Sequence, residues 1–473
     1  MRSSLKPINL EVMTMRKVTN NSDTIFALAT PPGRSAIAVI RVSGPQALAV
    51  PALFGAACPA AGTFAVARLY DGAFLIDEAV LLCMQGPRSS TGEDVCELHC
   101  HGSIAAVRAV LDKLADAKGF RLAEAGEFTR RGFINDKIDL LGVEGLADLI
   151  DADTPLQLQQ AWAQIDGALR GPVETWRAHL VGLASKLEAL IDFADEDLPQ
   201  TVDMDLRRQT ALLIADIGRI LDDNRAGELV RDGVVVALIG PVNAGKSTIL
   251  NGLAGRAAAI VSEEAGTTRD IISIRLELAG VPTTILDTAG VRDAAGAVES
   301  EGIRRAIEAA QNADLVVLVV DVATPSWSQD IANLTENLTE NLAENIAGNL
   351  ARPPMIVLNK ADKAVIGTVP ADAIAMSAHN DQDMAQFIDL LAEKIRPLNL
   401  AQHSAIITRV RHRRALQDAH LALQAGLRHD FHSAPELAAE DFRHAATALG
   451  RITGYVDVEE LLGQIFSTFC IGK

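Results

Sequence analysis

Three kinds of hydrophobic spacing succeed one another along the chain. From Asp23 to Gly44 two apolar runs flank Pro31, Pro32 and Gly33, which predicts strand, turn, strand. Thr63 to Tyr70 and Glu78 to Met84 are further strand candidates, and Ile104 to Lys118 reads as a helix. Two polar loops, Pro87 to Gly102 and Glu124 to Leu140, complete what the pattern predicts to be an α+β domain over residues 23–138. From Asp139 the period changes. Leu180, Leu183, Leu187, Leu190 and Ile191 fall at helical spacing, and Leu206, Leu213, Ile217, Ile220 and Leu221 continue it in a second helix. Asp192, Asp195, Glu196, Asp197 and Pro199 mark an acidic break between the two. Such leucine stripes pack helices into a core.

Residues 232–396 alternate buried-type strands with helical segments. Val234 to Ile239, Leu315 to Val320, Met355 to Leu358 and Ala373 to Met376 are continuous apolar runs and Thr283 to Leu286 is strand-like, as a doubly wound sheet requires. Helices return after Pro397. The chain therefore reads as multidomain α/β: a disordered extension (1–22), an N-terminal α+β domain (23–138), a helical domain in two parts (139–231 and 397–473), and a doubly wound domain (232–396) inserted between them. Within the insertion, residues 331–350 repeat a four-residue unit with Leu334, Leu338, Leu342 and Ile346 four apart, which suggests an expanded, partly helical surface segment.

Composition narrows the class. At 49% hydrophobic and 22% charged residues the chain is of the globular type. A net charge of −18 argues against general coating of nucleic acid, so RNA contacts must come from local basic patches. The strongest is Arg409, Arg411, Arg413 and Arg414, which suits either a helix face meeting RNA phosphates or a solvated face. No apolar run approaches the roughly 18 residues of a membrane span. The first 21 residues carry Arg2, Lys6, Arg16 and Lys17 against Glu11 without a long apolar stretch, which is no secretory signal; a disordered extension outweighs an organelle transit peptide. The five cysteines are odd in number and irregularly spaced, which suits reduced thiols in the cytoplasm. Cys96, His99, Cys100 and His101 invite a zinc reading, but no second ligand pair has suitable spacing and alternate strand residues face opposite ways. Structural thiols and histidines are the expectation there.

The chemistry begins at Gly240 to Thr248, GPVNAGKST, between an apolar strand and the helix-like Ile249 to Leu253. Strand, glycine loop, helix is the setting of a phosphate-binding loop. The N–H groups of Asn243, Ala244, Gly245 and Thr248 would cradle phosphate oxygens, Lys246 would reach the β and γ phosphates, and Ser247 would sit on Mg²⁺. Asp287, Thr288, Ala289 and Gly290 follow the second strand: the carboxylate can hold Mg²⁺ through water, and Gly290 can offer its N–H to a γ-phosphate. Asn359, Lys360, Ala361 and Asp362 follow the fourth. Asp362 would accept hydrogen bonds from the ring N–H and exocyclic amine of guanine, a pair that adenine lacks. Ser377 and Ala378 would add a backbone contact to the base. Three such motifs on successive strand ends read as a guanine-nucleotide site. In Gly266 to Asp270, Thr268 would complete the Mg²⁺ shell. Ras-like proteins place a glutamine directly after DTAG, but here Val291 stands there and cannot orient water. Arg292, Asp293, Glu299 and Glu301 are the candidates to replace it.

Together these residues resemble the tRNA modification GTPase family called MnmE or TrmE, over nearly all of Asp23 to Lys473. The marks are ATPPG with IRVSG, TGEDV, GEFTRR-F-N-K-DL, DLIDA, the four nucleotide motifs, VE-EGI-R after DTAG, and the terminal CIGK. The resemblance implies an N-terminal domain that binds 5-formyl- or 5,10-methylene-tetrahydrofolate and mediates homodimerisation, with Arg41, Glu97 and Lys137 touching the folate and Lys473 adding a contact. It implies K⁺ in place of an arginine finger, ligated by Asn243 and by the backbone carbonyls at Ser262, Glu264 and Thr267. Glu299 becomes the water-orienting carboxylate and Cys470 faces the folate region. The implied reaction, made in a heterotetramer with the FAD-containing partner MnmG, adds an aminomethyl or carboxymethylaminomethyl group to carbon 5 of the wobble uridine of certain tRNAs. The chain departs from the family pattern at Pro241–Val242, Ser35, Ser103, Ala125 and His379. Two other classes are weighed against this one: a regulatory or ribosome-assembly GTPase acting as an RNA-binding switch, and a folate-binding scaffold whose GTPase times assembly.

Overall fold

The computed structural model describes residues 23–192, 200–223, 225–255, 272–287, 308–343, 353–364, 369–370, 373–399, 406–454, 465–466, 469 and 472. It divides into two compact units, one built from residues up to Glu144 and from Gly454 onward, the other from Gly145–Thr453.

The first unit holds β1 (Thr24–Leu28), β2 (Ser35–Ser43), a short helix α1 (Val50–Leu53), β3 (Phe64–Asp71), β4 (Phe74–Met84), β5 (Val95–Gly102), α2 (Ile104–Ala115), β6 (Phe120–Leu122) and α3 (Glu127–Ile134). The strands form one sheet in the order β3-β4-β5-β2-β1-β6, antiparallel except for the β1–β6 pair. Strand alternation gives the sheet two unlike faces. Ile40, Val42, Leu81, Cys96 and Leu98 point into a core closed by Val110 and Leu114 of α2. Arg41 and Glu97, paired across β2 and β5, point the other way.

Two sequence expectations need correction here. The second half of the Pro87–Gly102 loop is β5, because Val95, Cys96, Leu98 and Cys100 are all buried. The Glu124–Leu140 loop contains α3, whose buried side chains include Glu127, Thr129 and Arg131. That helix carries too few apolar positions to show a helical stripe. Phe128 packs on Ile25 and Ala27, and ion pairs add to it: buried Arg131 meets Glu127 at 3.1 Å, Glu93 at 3.0 Å and Asp23 at 3.1 Å. The C-terminal residues lie against this unit. A Cβ on Gly126 would stand 2.7 Å from the Phe466 carbonyl oxygen, and one on Gly472 2.3 Å from that of Leu28.

The second unit contains α4 from Gly145 onward (helix Leu140–Ile150), α5 (Pro155–Ile165), α6 (Arg170–Asp192), α7 (Gln200–Leu221) and α8 (Ala226–Asp232), then β7 (Val234–Ile239) and α9 (Lys246–Ala254). It continues through β8 (Ile272–Leu278), β9 (Val281–Asp287), β10 (Leu315–Asp321), α10 (Trp327–Ala343), β11 (Met355–Asn359), β12 (Ala373–Met376), α11 (Asp381–Asn399), α12 (Val410–Arg428) and α13 (Pro435–Thr453). The leucine stripes are buried as their spacing predicts: Leu180, Leu183 and Leu187 in α6, Leu206, Leu213 and Ile217 in α7. Helix α13 packs on α6 and α12, and α12 on α7.

The second sheet runs β12-β11-β10-β7-β9-β8, parallel except at β8. Val234, Val236 and Leu238 face a core with Ile249 and Phe387, while Ala237 and Ile239 face one with Ala309 and Ala310. Burial on both faces is why these strands read as unbroken apolar runs. Strand β8 is absent from the sequence reading, although Ile272, Ile274, Leu276 and Leu278 alternate with Ser273, Arg275 and Glu277 as an edge strand's residues do. Ala279 and Gly280, both at positive φ (53° and 80°), close its two-residue hairpin to β9. Leu334 of the repeat segment packs partly buried on the sheet.

Three of the four arginines of the basic cluster bond to partners within the protein. Arg409 donates to Asp148 at 2.8 Å, Arg413 to Asp223 at 2.6 Å and Glu228 at 2.9 Å, and Arg411 to the Arg451 carbonyl at 3.2 Å. Arg414 is exposed.

The burial of Arg131 makes a test. Replacing Arg131 by Met leaves buried Glu127 and partly buried Glu93 without that counter-charge and should destabilise the first unit by about 3–5 kcal/mol, read by hydrogen exchange in β1 and β5. Burial alone would raise the carboxyl of Glu127, but Arg121, the Glu124 N–H and Arg131 together hold it below its ordinary 4.5. The stability it contributes is therefore full above that pH and lost as pH falls through the lowered value. The Arg131→Met variant should lose structure at a higher pH than the parent.

Candidate functional site

Strand β7 ends at Ile239, and the chain turns through Gly240–Gly245 into α9. The turn is closely packed. A Cβ on Gly240 would stand 1.9 Å from the Val319 carbonyl oxygen, and one on Gly245 2.1 Å from Asn359 Nδ2. Asn243 (φ 66°) and Gly245 (φ 98°) are left-handed, which curls successive N–H groups inward. Lys246 is buried, and its Nζ donates to the carbonyls of Gly240 at 2.7 Å and Pro241 at 2.9 Å. Burial pushes its ammonium below the ordinary lysine range, partly offset by the nearby Asp287. Ser247 Oγ donates to Asp287 Oδ2 at 2.5 Å. A hydroxyl and a buried carboxylate converging at a phosphate loop are hard oxygen donors of the kind Mg²⁺ takes. Thr248 is half-buried in the first turn of α9.

The second half of the site comes from β11 and β12. Asn359, the last residue of β11, donates from Nδ2 to the Ala244 carbonyl at 2.8 Å and accepts at Oδ1 from Ala378 N–H at 3.1 Å. Lys360 is left-handed (φ 62°), and its Nζ donates to the Asn243 carbonyl at 2.7 Å and to Asp321 Oδ2 at 2.5 Å. Asp362 is exposed, and the Ser377 hydroxyl holds its carboxyl below the usual range. Ser377 itself is buried, with its N–H on Asp383 at 2.8 Å. The structure thus gathers Asn243, Ala244, Gly245, Lys246, Ser247, Asp287, Asn359, Lys360 and Ala378 at the carboxyl ends of β7, β9, β11 and β12. Of the expected K⁺ ligands only Asn243 is described, an exposed amide of the oxygen-donor type that K⁺ takes. Ser262, Glu264, Thr267, Thr268, Thr288, Ala289, Gly290 and Glu299 lie outside the described residues, as do Cys470 and Lys473.

In the first unit, Arg41 Nε donates to Glu97 Oε1 at 2.8 Å, and His99 Nε2 lies 3.0 Å from Glu97 Oε2. The Arg41 guanidinium also stands over the Phe128 ring, 5.8 Å from its centroid. Burial would raise the Glu97 carboxyl, but His99 and Arg41 hold it below its ordinary range. The Glu97 carboxylate, kept ionised by these neighbours, can accept hydrogen bonds from N–H donors of the kind a pterin edge carries. Lys137 stands apart from this pair, donating to the Pro87 carbonyl at 2.8 Å on the loop before β5.

Two family models match the chain: the GTP-binding protein TrmE N-terminus over residues 24–137 and the MnmE helical domain over residues 140–470. The chain belongs to the MnmE family. Relatives along its whole length agree. The tRNA modification GTPase MnmE of Parvibaculum lavamentivorans is 46% identical over 95% of this chain and 100% of its own length. Those of Granulibacter bethesdensis (42%) and Paramagnetospirillum magneticum (44%) each match over 96% of this chain and 100% of their own.

Asp321 is the residue of these sites that the sequence reading lacks, although it is the first charged residue after the apolar run of β10. His99, expected to be a structural histidine, faces Glu97.

Gly245 supplies the test. An Ala there carries a side chain at φ 98° and displaces the Asn359 amide. Fluorescent-GDP titration should show affinity about 100-fold weaker, roughly 2.8 kcal/mol. Gly182→Ala, where a Cβ meets nothing within 4 Å, should leave affinity unchanged.

Proposed function

We propose that this chain is a GTP-hydrolysing tRNA modification enzyme. With the flavoprotein MnmG and its FAD it would add an aminomethyl or carboxymethylaminomethyl group to carbon 5 of the wobble uridine of certain tRNAs. The observation that carries the nucleotide half is the Asn359 amide, which joins the phosphate loop at Ala244 to Ala378 beside Asp362. Membership of the MnmE family, whose relatives are named tRNA modification GTPases, supports the RNA half.

Each residue then has a task. Asp362 accepts the two N–H groups of guanine, so adenine would leave a carboxylate unpaired. Lys246 exchanges its two loop carbonyls for phosphate oxygens. Ser247 and Thr268 would hold Mg²⁺, and Asn243 with the carbonyls of Ser262, Glu264 and Thr267 would hold K⁺. When bound, the two cations offset charge developing on the transferred phosphoryl group. Glu299 takes over from the missing glutamine in orienting the attacking water. Arg41, Glu97, Lys137 and Lys473 bind the tetrahydrofolate, which when bound supplies the one-carbon unit, and Cys470 faces the same region. We assign residues 23–138 to folate binding and homodimerisation, 139–231 with 397–473 to the helical domain, and 232–396 to an inserted GTPase domain, acting in the cytoplasm as a heterotetramer with MnmG.

The decisive experiment is nucleoside analysis of tRNA from cells lacking this chain. The C5-modified wobble uridine should disappear and return with the parent chain but not with Glu299→Ala. A normal level in the deletion strain would overturn the proposal. In vitro, Glu299→Ala should slow GTP turnover by about 100-fold or more with GDP affinity retained, and exchange of K⁺ for Na⁺ should slow the parent.

A further inference from the structure

Lys360 holds the phosphate loop from outside it. Its ammonium touches the Asn243 carbonyl at 2.7 Å, and Asn243 is one of the left-handed residues that shape the loop. A neutral carbonyl is a weak anchor for an ammonium on four rotatable bonds, which water or a phosphate oxygen can draw away. A second partner fixes it: Asp321 Oδ2 at 2.5 Å. Asp321 is itself held from two sides. It is the last residue of β10, in parallel register with Asn359 of β11, and its Oδ1 accepts from the Ala323 N–H at 2.9 Å. The next residue, Val322, donates its N–H to the Asn359 carbonyl at 3.1 Å. The carboxylate therefore stands at a rigid strand end, and the lysine reaches from it to the loop.

We propose that Asp321 is a positioning residue for nucleotide binding: it pins the Lys360 ammonium on the Asn243 carbonyl and so keeps the phosphate loop open to phosphate before nucleotide arrives. The inference rests on the reading of this site as a guanine-nucleotide pocket. A bland alternative is a partly exposed ion pair that contributes almost nothing (side-chain exposures 26% and 20%). The two differ in what they forecast. Asp321 acts on the loop and not on the base, so its loss should weaken every purine nucleotide that Asp362 admits by the same factor.

The test is the affinity of the full chain for fluorescent GDP and IDP, the second lacking the exocyclic amine. In Asp321→Asn both should bind about tenfold more weakly, which is about 1.4 kcal/mol, with the GDP/IDP ratio held within about twofold of the parent's. Asp362→Asn, in contrast, should collapse that ratio. Combined with Lys360→Met, Asp321→Asn should add less than about twofold, since both remove one contact. GTP turnover in Asp321→Asn should show a raised KM with kcat nearly unchanged, and the nucleotide-free melting temperature should not move. Affinity within about twofold of the parent, an altered GDP/IDP ratio, or full additivity with Lys360→Met would each overturn the proposal. Should Asp321→Asn not fold, Lys360→Met reads the same contact from its other end, and parental affinity there overturns it as well. A parent chain that fails to bind GDP defeats the pocket reading itself, and is recognised because it appears before any substitution is made.

Discussion

One buried carboxamide holds the candidate site together. Asn359 has a donor and an acceptor in one plane. It uses the first on the Ala244 carbonyl, 115 residues away in sequence, and the second on the Ala378 N–H. Left unpaired in a buried position, either group would be costly, so each loop fixes the other through it. The glycine at position 245 follows from the same contact, since a Cβ there would occupy the place of the amide. The sheet order makes the contact available. Strands β7, β10, β11 and β12 lie side by side and parallel, so their carboxyl ends deliver the phosphate loop, Asp321, Asn359 and Ser377 to one edge. Lys246 shows a site that satisfies itself. Its ammonium, buried, rests on two carbonyls of its own loop, a weaker substitute for phosphate than any anionic oxygen.

The first unit solves a related problem with charges. Its sheet buries one face against α2 and carries Arg41 and Glu97 on the other. Glu97 remains ionised because His99 and Arg41 flank it, not because water does. On the same side, Phe128 of α3 packs on Ile25 and Ala27 of β1, and the Arg131 network adds charged contacts beside it. An arginine with five N–H donors can serve three carboxylates at once, where no single apolar side chain could.

How much of this the sequence discloses depends on the kind of force involved. Burial on two faces leaves unbroken apolar runs, so β7, β10 and β11 are legible, and helix packing leaves leucine stripes, so α6 and α7 are too. Glycine loops and strand-end motifs are legible because backbone geometry and phosphate chemistry permit few residues. An element held largely by ion pairs is not: helix α3 reads as a polar loop because Glu127 and Arg131 take interior positions beside Phe128. The arginines of α12 look like a nucleic-acid patch for the same reason. Net charge along a sequence cannot tell an arginine facing phosphate from one facing Asp223.

Those arginines bear on how an α/β segment can interrupt a helical one. Arg231 stands just before β7, the strand that leads into the phosphate loop. Arg409 stands at the start of α12, where the chain returns. Both donate to the same Asp148 oxygen, at 2.8 Å each. Gln157 adds a bond to the Arg231 carbonyl at 2.8 Å, and Gly233 follows at φ 89°, so close to Pro282 that only glycine fits. One carboxylate thus clasps the departing and the returning chain. The closure entropy of a long insertion grows only slowly with its length, so a few charge-assisted bonds at its neck are enough to fix its ends. The strand that carries the phosphate loop then leaves the helices from a fixed point, and a shift in the loop has a rigid element against which to act.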